Sequence, residues 1–487
     1  YELSFPAVLE ILSLGGIHVC ADERGEDEPI VMGGGPAACN PEPVADFFDV
    51  IFIGEGEAGI TDIVKAYLAA DDAGDRIGDD MSARPVSRKQ RLQQLAAIPG
   101  VYVPALRPAR VIRRTLDDFA DTELLTTSAI VPYAELIHDR LTVEVQRGCT
   151  RGCRFCQAGI IYRPVRRRDP DAIVRAVVNG IERTGFDEVS LTSLSTADYP
   201  HIDELLRRLK LRFQGSGVAI SIPSLRVDSF SVDLARILSE GTKKSGLTFA
   251  PEAGSQRLRD VINKNVDEQQ LLDTLAYAFA AGWRRVKLYF MMGLPTETDE
   301  DIVAIGQMVE RCLAAAKEAC DPQQRGAVQL SVSVSTFVPK AHTPFQWAAQ
   351  LPPVEIQRRQ ELLRASMPHK GVKLSWHDAG ASFVEGVLAR GGRDLAVVIQ
   401  ALWSARPQAV YTDHFDLADW EGAFESCGID AESAYCHNRD VTEALPWDFI
   451  DIGVKRDWLL GEYEKALSGD TTPDCASGPC SDCGVCP

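Results

Sequence analysis

Three cysteines stand close together in the first third of the chain, and their spacing is suited to metal chemistry. Cys149, Cys153 and Cys156 form a C-x3-C-x2-C pattern. Gly148 and Gly152 beside them permit the positive φ angles that so tight a loop needs. Four-iron clusters usually take four cysteines, so three would leave one iron open, and an open metal position can bind a substrate or cofactor. Zinc with a distant fourth ligand and three ordinary thiols are the alternatives.

A second group of cysteines lies at the carboxyl end. Cys475, Cys480, Cys483 and Cys486 fall within twelve residues, and the last three have a ferredoxin-like C-x2-C-x2-C spacing. The prolines and glycines among them predict a loop. We expect an auxiliary iron–sulfur cluster here; structural zinc and a tail of free thiols are the alternatives. The other six of the 13 cysteines are scattered, and we expect them to be buried packing residues.

Composition narrows the class of protein. The 487 residues include 51 Lys+Arg against 70 Asp+Glu, a formal net charge of −19, which argues against non-specific nucleic-acid binding. No apolar run is long enough for a membrane span. With no signal peptide, we predict a cytoplasmic protein whose thiols stay reduced, so clustered cysteines indicate metal rather than disulfides. Because the chain starts at Tyr1, we expect a truncated amino end.

Alternating strands and helices must position the first cysteine loop. Apolar runs predict strands over 141–146, 187–193, 218–223, 246–250, 285–291 and 330–336. Amphipathic stretches between them predict helices over 170–184, 201–213, 231–240, 267–281 and 298–318. Six β/α units in a row predict an α/β fold with a partial (β/α)6 barrel over 136–350. In such a barrel the chemistry lies at the carboxyl ends of the strands.

The segments outside the barrel differ in pattern. Residues 1–70 predict strands over 30–32 and 49–53 and helices over 9–14 and 58–70, with the glycine loops 33–35 and 54–57 after the strands. This order favours a parallel α/β sheet whose loops bind a ligand. Residues 71–135 predict a connector with short strands, one of them at 101–103. Residues 351–470 predict a mostly helical extension, and residues 471–487 are the cysteine-rich tail.

The cysteine pattern, with Phe155 before its last cysteine and a first barrel strand before it, resembles the radical S-adenosylmethionine superfamily over roughly 141–350. The resemblance implies a [4Fe-4S] cluster on Cys149, Cys153 and Cys156, with S-adenosylmethionine chelated at the open iron. It implies reductive cleavage to a 5′-deoxyadenosyl radical and a reductase, flavodoxin or ferredoxin as electron donor. The hard chemistry is then the cofactor's, and the protein supplies position and a dry site.

The same resemblance implies cofactor contacts at successive strand ends. After the second strand, Ser193 and Ser195 stand where the superfamily usually has a Gly-Gly-Glu-like loop that receives the methionine amino group, so this chain departs from the pattern there. The other implied contacts are Phe155 in the cysteine loop, Ser224 and Arg226 for the ribose or carboxylate, Glu252 near the ribose, and Gly293 in a Gly-Leu-Pro-x-Glu-Thr loop near the adenine. Each of these residues alone could be a solvated or capping residue.

Gly33, Gly34 and Gly35, followed by the Gly54-Glu55-Gly56-Glu57 loop, resemble the second half of the cobalamin-binding Rossmann domain fused to some of these enzymes. Only glycine lets a backbone lie close against a bulky ligand. The Asp-x-His-x-x-Gly segment that supplies the lower cobalt ligand is not in this chain, and some relatives keep the domain without binding cobalamin. Residues 377–380 and 446–455, with the tail, resemble an uncharacterised fused cobalamin-domain/radical S-adenosylmethionine family of bacteria.

We therefore predict a radical S-adenosylmethionine enzyme that abstracts hydrogen from an unactivated C–H bond and, if cobalamin binds, transfers methyl to carbon. One alternative is methylthiotransferase-like sulfur insertion into RNA or a ribosomal protein, with the tail cluster as sulfur donor. The other is a non-catalytic iron–sulfur electron carrier or scaffold. A basic run at Arg163 and 166–168 could receive an anionic substrate such as RNA, or could be a solvated helix start.

Overall fold

The structure is a computed structural model that describes residues 1–75, 86–122, 124, 129–134, 136–223, 226–227, 237, 246–410 and 412–486. In the amino-terminal region, β1 (Met32–Gly34) and β2 (Val50–Phe52) are parallel, and β3 (Val101–Tyr102) pairs antiparallel with β2. The helices of this region are α1 (Phe5–Leu14), α2 (Gly56–Asp75) and α3 (Arg88–Ala96). The connector thus adds a helix and a strand to the amino-terminal region.

The first strand differs from its prediction. We predicted residues 30–32, with Gly33 and Gly34 in the loop that follows, but Gly33 and Gly34 belong to β1 because they pair with Ile51 and Phe52. Gly35 is the residue that turns the chain, with a φ of 101°. A further short strand, β4 (Val111–Ile112), lies beyond β3. The parallel pairing predicted for the two strands of residues 1–70 is confirmed, while β3 of the connector adds an antiparallel edge.

The barrel region contains two parallel sheets. One has the order β5-β8-β9, from β5 (Leu141–Glu144), β8 (Glu188–Thr192) and β9 (Ala219–Ser221). Between β5 and β8, the cysteine loop lies inside an antiparallel pair made by β6 (Gln146–Arg147) and β7 (Arg166–Arg167). The other sheet has the order β10-β11-β12-β13, from β10 (Leu247–Glu252), β11 (Arg285–Met292), β12 (Gln329–Thr336) and β13 (Val372–Trp376).

Helices separate these strands; those that begin at Pro170, Ile202, Glu268 and Asp299 agree with the predicted apolar periodicity, while the short helices that begin at Gln157 and Gln256 were not predicted. They are α4 (Gln157–Ile161), α5 (Pro170–Thr184), α6 (Ile202–Arg212), α7 (Gln256–Val261), α8 (Glu268–Ala280) and α9 (Asp299–Ala319). Local signals set their ends: Asp169 caps the first turn of α5, Pro170 follows it, and Gly185 ends the helix in the left-handed conformation. The helix predicted over 231–240 lies almost entirely outside the described residues.

The α/β fold class and the six predicted strands are confirmed, and β13 is an addition. Its residues fall in the segment that we predicted to be mostly helical, yet they pair along β12 from Leu330 to Val334. The inward side chains of both sheets form one core, and several of them are fully buried, among them Val143, Val189, Phe249, Leu288 and Val332. This rigid core fixes the strand ends from which a site can be built.

The carboxyl-terminal extension packs against the amino-terminal region as well as the barrel. Its elements are α10 (Pro353–Ser366), α11 (Ala379–Arg390), α12 (Ala396–Ala405), α13 (Leu417–Ser426), α14 (Ala431–Tyr435), β14 (Ile450–Asp451) and α15 (Arg456–Ser468). Trp403 Nε1 donates to Glu10 Oε2 across the α12–α1 contact at 2.8 Å, and β14 pairs with β4. Within the described ranges, no helix is both long and apolar enough to cross a membrane.

Candidate functional site

The cysteine loop leaves the barrel next to β6 and depends on two glycines. Gly148 has a φ of 87° and Gly152 a φ of 73°, so the predicted left-handed conformations are confirmed. At Gly148, a Cβ atom would lie 2.7 Å from the carbonyl oxygens of both Tyr162 and Pro164. Only glycine fits this position, because both the backbone angle and the contact exclude a side chain.

The three thiols of the loop are partly covered and influence one another. Burial, together with the charges of Cys153 and Cys149, raises the pKa of Cys156 to about 12, and burial with Cys153 also raises the pKa of Cys149. The Cys156 sulfur accepts a hydrogen bond from the Gly159 N–H at 3.3 Å. The fold groups three thiols where free thiolates are disfavoured. A bound cationic metal would stabilise the thiolates, because its charge offsets the repulsion between them.

The donor set fits an iron–sulfur cluster, in which each thiolate binds a different iron. Among the residues that the structure describes, no three His, Cys, Asp or Glu side chains converge at the spacing of a single metal ion. Phe155, in the same loop, packs on an apolar cluster with Leu258 and Ile262. The loop is therefore anchored on its apolar side.

Glu252 ends strand β10 and bonds to a lysine that our sequence reasoning missed. Glu252 Oε1 lies 3.0 Å from Lys264 Nζ, and Arg226 Nη2 donates to the Lys264 carbonyl oxygen at 3.1 Å. The charge of Lys264 acts on Cys156 as a counter-charge. Predicted residues Glu252 and Arg226 are thus brought together beside the cysteine loop, while Ser224 lies outside the described residues.

The backbone at this strand end is strained. Glu252, Asn263 and Asn265 have φ angles of 68°, 53° and 51°, in a region that non-glycine residues seldom adopt. Asn263 Nδ2 donates to the Gly152 carbonyl oxygen at 3.2 Å, which ties the segment to the cysteine loop. Asn263 and Asn265, on either side of Lys264, could have indicated this turn from the sequence, because asparagine tolerates the left-handed region.

The predicted serines hold their own loop. Ser195 is buried, and its Oγ donates to Asp198 Oδ2 at 2.5 Å. Asp198 also accepts from Arg151 Nε at 2.9 Å, so this loop is bonded to the cysteine loop. Ser193 Oγ accepts from the Ser195 N–H at 3.1 Å. The structure thus gives Ser195 a positioning role, while Ser193 faces the cavity described below.

The fifth-strand loop is stabilised by a buried glutamate. Gly293 has a φ of 87°, and its N–H donates to Glu297 Oε2 at 2.7 Å. Arg359 Nη1 lies 2.5 Å from the same carboxylate oxygen. Burial raises the pKa of Glu297 to about 7. Glu297 therefore fixes the turn at Gly293; the sequence analysis included this glutamate in the Gly-Leu-Pro-x-Glu-Thr loop but assigned a cofactor contact only to the glycine.

A cavity of about 750 Å³ lies between the amino-terminal region and the barrel. The amino-terminal residues that line it include Gly33, Gly34 and Gly35 and the loop 54–57, and the barrel residues include Glu144, Arg147, Gly148 and Ser193. The predicted glycine element, one predicted serine and the start of the cysteine loop therefore share one space. A Cβ on Gly33 would lie 2.9 Å from the Phe48 ring, so the glycine is required by packing as well.

Acidic side chains hold the arginine in the wall of this cavity. Arg147 Nη2 lies 2.7 Å from both Glu57 Oε1 and Glu144 Oε2, and Arg147 Nη1 lies 3.2 Å from Glu55 Oε2. Its guanidinium also stacks over the Phe119 ring at 4.9 Å. These contacts join the Gly-Glu-Gly-Glu loop to the residue that precedes Gly148.

The basic run after the cysteine loop is part of the fold. Arg166 pairs with Glu55 at 2.6 Å, buried Arg168 donates to the carbonyl oxygens of Phe119 and Thr122, and buried Arg163 donates to Gly159. Arg163, Arg166 and Arg168 are therefore bonded inside the fold rather than solvated, whereas Arg167 is exposed and its Nε donates to Gln146 Oε1 at 3.2 Å. The interpretation of the run as a site for an anionic substrate such as RNA stays a prediction.

All thirteen cysteines are free. Of the six scattered cysteines predicted to be buried, Cys39, Cys312, Cys320 and Cys436 are buried, while Cys20 and Cys427 are partly exposed. Cys475, Cys480 and Cys486 of the tail are exposed. The tail lies next to the cysteine loop, since Cys475 Sγ donates to the Thr150 carbonyl oxygen at 3.5 Å.

Family models match two parts of the chain. A model described as "Radical SAM superfamily" matches residues 143–309, and one described as "Radical SAM proteins, N-terminal" matches residues 1–104. An uncharacterized protein of Methanocaldococcus jannaschii is 30% identical over 416 residues, covering 83% of this chain and 81% of that protein. A putative methylthiotransferase of the same organism is 24% identical over 166 residues, covering 33% of this chain and 36% of that protein.

Two solved structures resemble parts of this chain, with low sequence identity and low TM-scores. The radical S-adenosylmethionine methyltransferase TsrM from Kitasatospora setae, with cobalamin and a [4Fe-4S] cluster bound, is 15% identical with a TM-score of 0.42, covering 62% of this chain and 54% of that chain. The cobalamin-dependent enzyme OxsB, with aqua-cobalamin and S-adenosylmethionine bound, is 11% identical with a TM-score of 0.40, covering 95% of this chain and 68% of that chain.

Proposed function

Because the chain belongs to the radical S-adenosylmethionine superfamily and is an enzyme of that class, we propose that Cys149, Cys153 and Cys156 hold its [4Fe-4S] cluster. The observation that carries this proposal is the cysteine loop itself, with a position that only Gly148 fits, a second left-handed glycine at Gly152, and three grouped thiols at a barrel strand end. When bound, the cluster supplies the electron that cleaves S-adenosylmethionine to methionine and a 5′-deoxyadenosyl radical.

The chain's own residues position the cosubstrate. Lys264 and Arg226 are the cations beside the loop and suit the methionine carboxylate, because a charge-assisted bond to a carboxylate is strong. Glu252 accepts from Lys264 and orients it, and its second oxygen is suited to ribose hydroxyls. The Gly293 turn, fixed by Glu297, offers backbone groups to the adenine. Ser193, which lines the cavity, is the nearest equivalent of the usual amino-group ligand.

The test is anaerobic reconstitution with iron and sulfide, reduction in the presence of S-adenosylmethionine, and mass-spectrometric detection of 5′-deoxyadenosine. We expect the wild-type chain to form it and a Cys149→Ala/Cys153→Ala/Cys156→Ala variant to form none. Cys427→Ala is the matched control, since Cys427 is a partly exposed cysteine outside both groups. Undiminished formation by the triple variant would overturn the assignment.

We further propose that the abstracted hydrogen comes from an unactivated C–H bond and that methyl transfer to carbon through cobalamin follows. The support is the cavity, because its lining includes Gly33–Gly35, the Gly54–Glu57 loop and Gly148 at the start of the cysteine loop. Hydroxocobalamin titration followed by ultraviolet-visible absorption tests it. Gly34→Leu should abolish the spectral change, because Gly34 lines the cavity and a leucine side chain there would occupy it. We expect the fold to tolerate the change, since a Cβ at this position meets only ordinary contacts at 3.5 Å or more.

A second candidate reaction is methylthiotransferase-like sulfur insertion. The observations that favour it are the second cysteine group beside the loop and the sequence similarity to a putative methylthiotransferase. The mass of the modified product separates the two reactions: a gain of one methyl group supports methyl transfer, and a gain of a methyl group plus sulfur supports the second candidate.

A further inference from the structure

The tail is attached to the cysteine loop through a buried network. Arg154, which stands between Cys153 and Cys156, pairs with Glu462 of α15 at 3.1 Å, and both side chains are essentially inaccessible. Arg154 Nη2 also donates to the Asp470 carbonyl oxygen at 2.8 Å. Thr472 continues the contact, since its Oγ1 donates to Glu462 Oε1 at 2.7 Å. The chain is therefore led from α15 directly onto the loop.

The next residues of the tail touch the loop itself. The Thr472 N–H donates to Asn263 Oδ1 at 2.8 Å, and Asp474 Oδ2 lies 3.1 Å from Arg151 Nε. Cys475 Sγ then donates to the carbonyl oxygen of Thr150, the residue after Cys149. The first cysteine of the tail is thus in contact with the loop that carries the other cysteine group.

The rest of the tail turns tightly around its cysteines. The Asp482 N–H donates to Cys480 Sγ at 3.4 Å, and such N–H···S bonds stabilise a thiolate. Asp482 and Gly484 both have left-handed φ angles, 53° and 96°, which turn the chain around Cys483. The Lys455 N–H donates to the Cys483 carbonyl oxygen at 2.9 Å, so this turn is fixed to the start of α15.

We propose that Cys475, Cys480, Cys483 and Cys486 bind a second iron–sulfur cluster, which the docked tail holds against the loop of the first. The four thiols bind as thiolates and release their protons to solvent. The Cys475 S–H bond to Thr150 is then given up, and the contacts of Thr472 with Asn263 and of Asp474 with Arg151 keep the tail docked. The continuous C-x4-C-x2-C-x2-C run suits a cluster, whereas structural zinc commonly takes ligand pairs separated by a longer segment. This inference goes beyond the proposed function, and its metal count does not depend on S-adenosylmethionine cleavage.

Metal counting on the full chain tests the site. After anaerobic reconstitution with ferrous iron and sulfide, we expect about eight irons per wild-type chain and about four in a variant with all four tail cysteines changed to serine. The Cys149→Ala/Cys153→Ala/Cys156→Ala variant should keep about four irons on the tail. This variant tests the tail site with the tail unchanged, so the conclusion does not depend on correct folding of the tail variant. Cys427→Ser is the control. About four irons in the wild type, or zinc retained by the tail, would overturn the proposal.

Electron paramagnetic resonance tests the contact between the two clusters. In the fully reduced protein, two neighbouring paramagnetic clusters interact, so the wild-type spectrum should differ from the sum of the spectra of the two cysteine variants. An additive spectrum would overturn the docked position. Eight irons with a coupled spectrum but no 5′-deoxyadenosine would support this inference and contradict the proposed function, so the two failures are distinguishable.

Discussion

The two cysteine groups touch at Thr150, yet they are built in different ways. The loop group is set into the barrel between β6 and β7, and burial raises the pKa of its Cys156 to about 12. Three of the four tail cysteines are exposed, and the tail is held by polar contacts to the loop and to α15. The comparison indicates that the loop geometry is imposed by the fold, whereas the tail geometry depends on its docking.

The largest expected effect separates the two groups by activity. A single Cys153→Ala change should reduce 5′-deoxyadenosine formation to background, because it removes one of three proposed ligands. A single Cys483→Ser change should leave formation measurable, because the tail is not part of the proposed S-adenosylmethionine site. The measurement is product yield per chain after reconstitution. Equal losses in both variants would contradict the division of roles.

The next effect concerns the buried pair that joins the groups. Glu462→Ala should lower the free energy of unfolding by about 3–5 kcal/mol, because it leaves Arg154 buried without its carboxylate partner. Chemical denaturation of the unloaded chain measures this change. Glu361→Ala is the control, since Glu361 forms an exposed pair with Arg364 and should have little effect. A small effect of Glu462→Ala would show that the tail is not anchored at this pair.

A smaller effect is kinetic and depends on pH. In the metal-free chain, iodoacetamide should alkylate Cys480 at least about tenfold faster than Cys156 near pH 8, because the thiolate is the nucleophile and Cys480 is exposed. Since the pKa of Cys156 is raised to about 12, its rate should keep rising with pH through the alkaline range. Peptide mass spectrometry gives both rates. Faster labelling of Cys156 would contradict the described burial.

The smallest effect is expected at the edge of the tail. Lys455 pairs with Asp482 at 2.7 Å, but both side chains are largely exposed, and exposed pairs contribute little to stability. Lys455→Ala should therefore leave the thermal midpoint unchanged, while the backbone bond from Lys455 to Cys483 persists. A clear loss of stability would show that the side chain contributes more to docking than its exposure indicates.

Local signals explain what could be predicted. The strands over 141–146 and 285–291 and the helix over 170–184 carry their periodicity and caps in contiguous residues, so their positions agree closely with the structure. Strand β13 was missed because its pairing partner, β12, is about forty residues earlier. The internal partner of Arg166 in the basic run was not foreseen, because the carboxylate that neutralises it belongs to Glu55, which is remote in sequence.

The sequence by itself determined the cysteine spacings, the glycines that make the loop, the alternation of strands and helices, and the superfamily. Only the tertiary structure decided that Lys264 pairs with Glu252, that Gly33–Gly35 and Arg147 line one cavity, and that the tail returns to Thr150. The physical reason is that spacing along the chain sets local backbone geometry, whereas partners for buried charges and exposed thiols come from segments that only packing brings together.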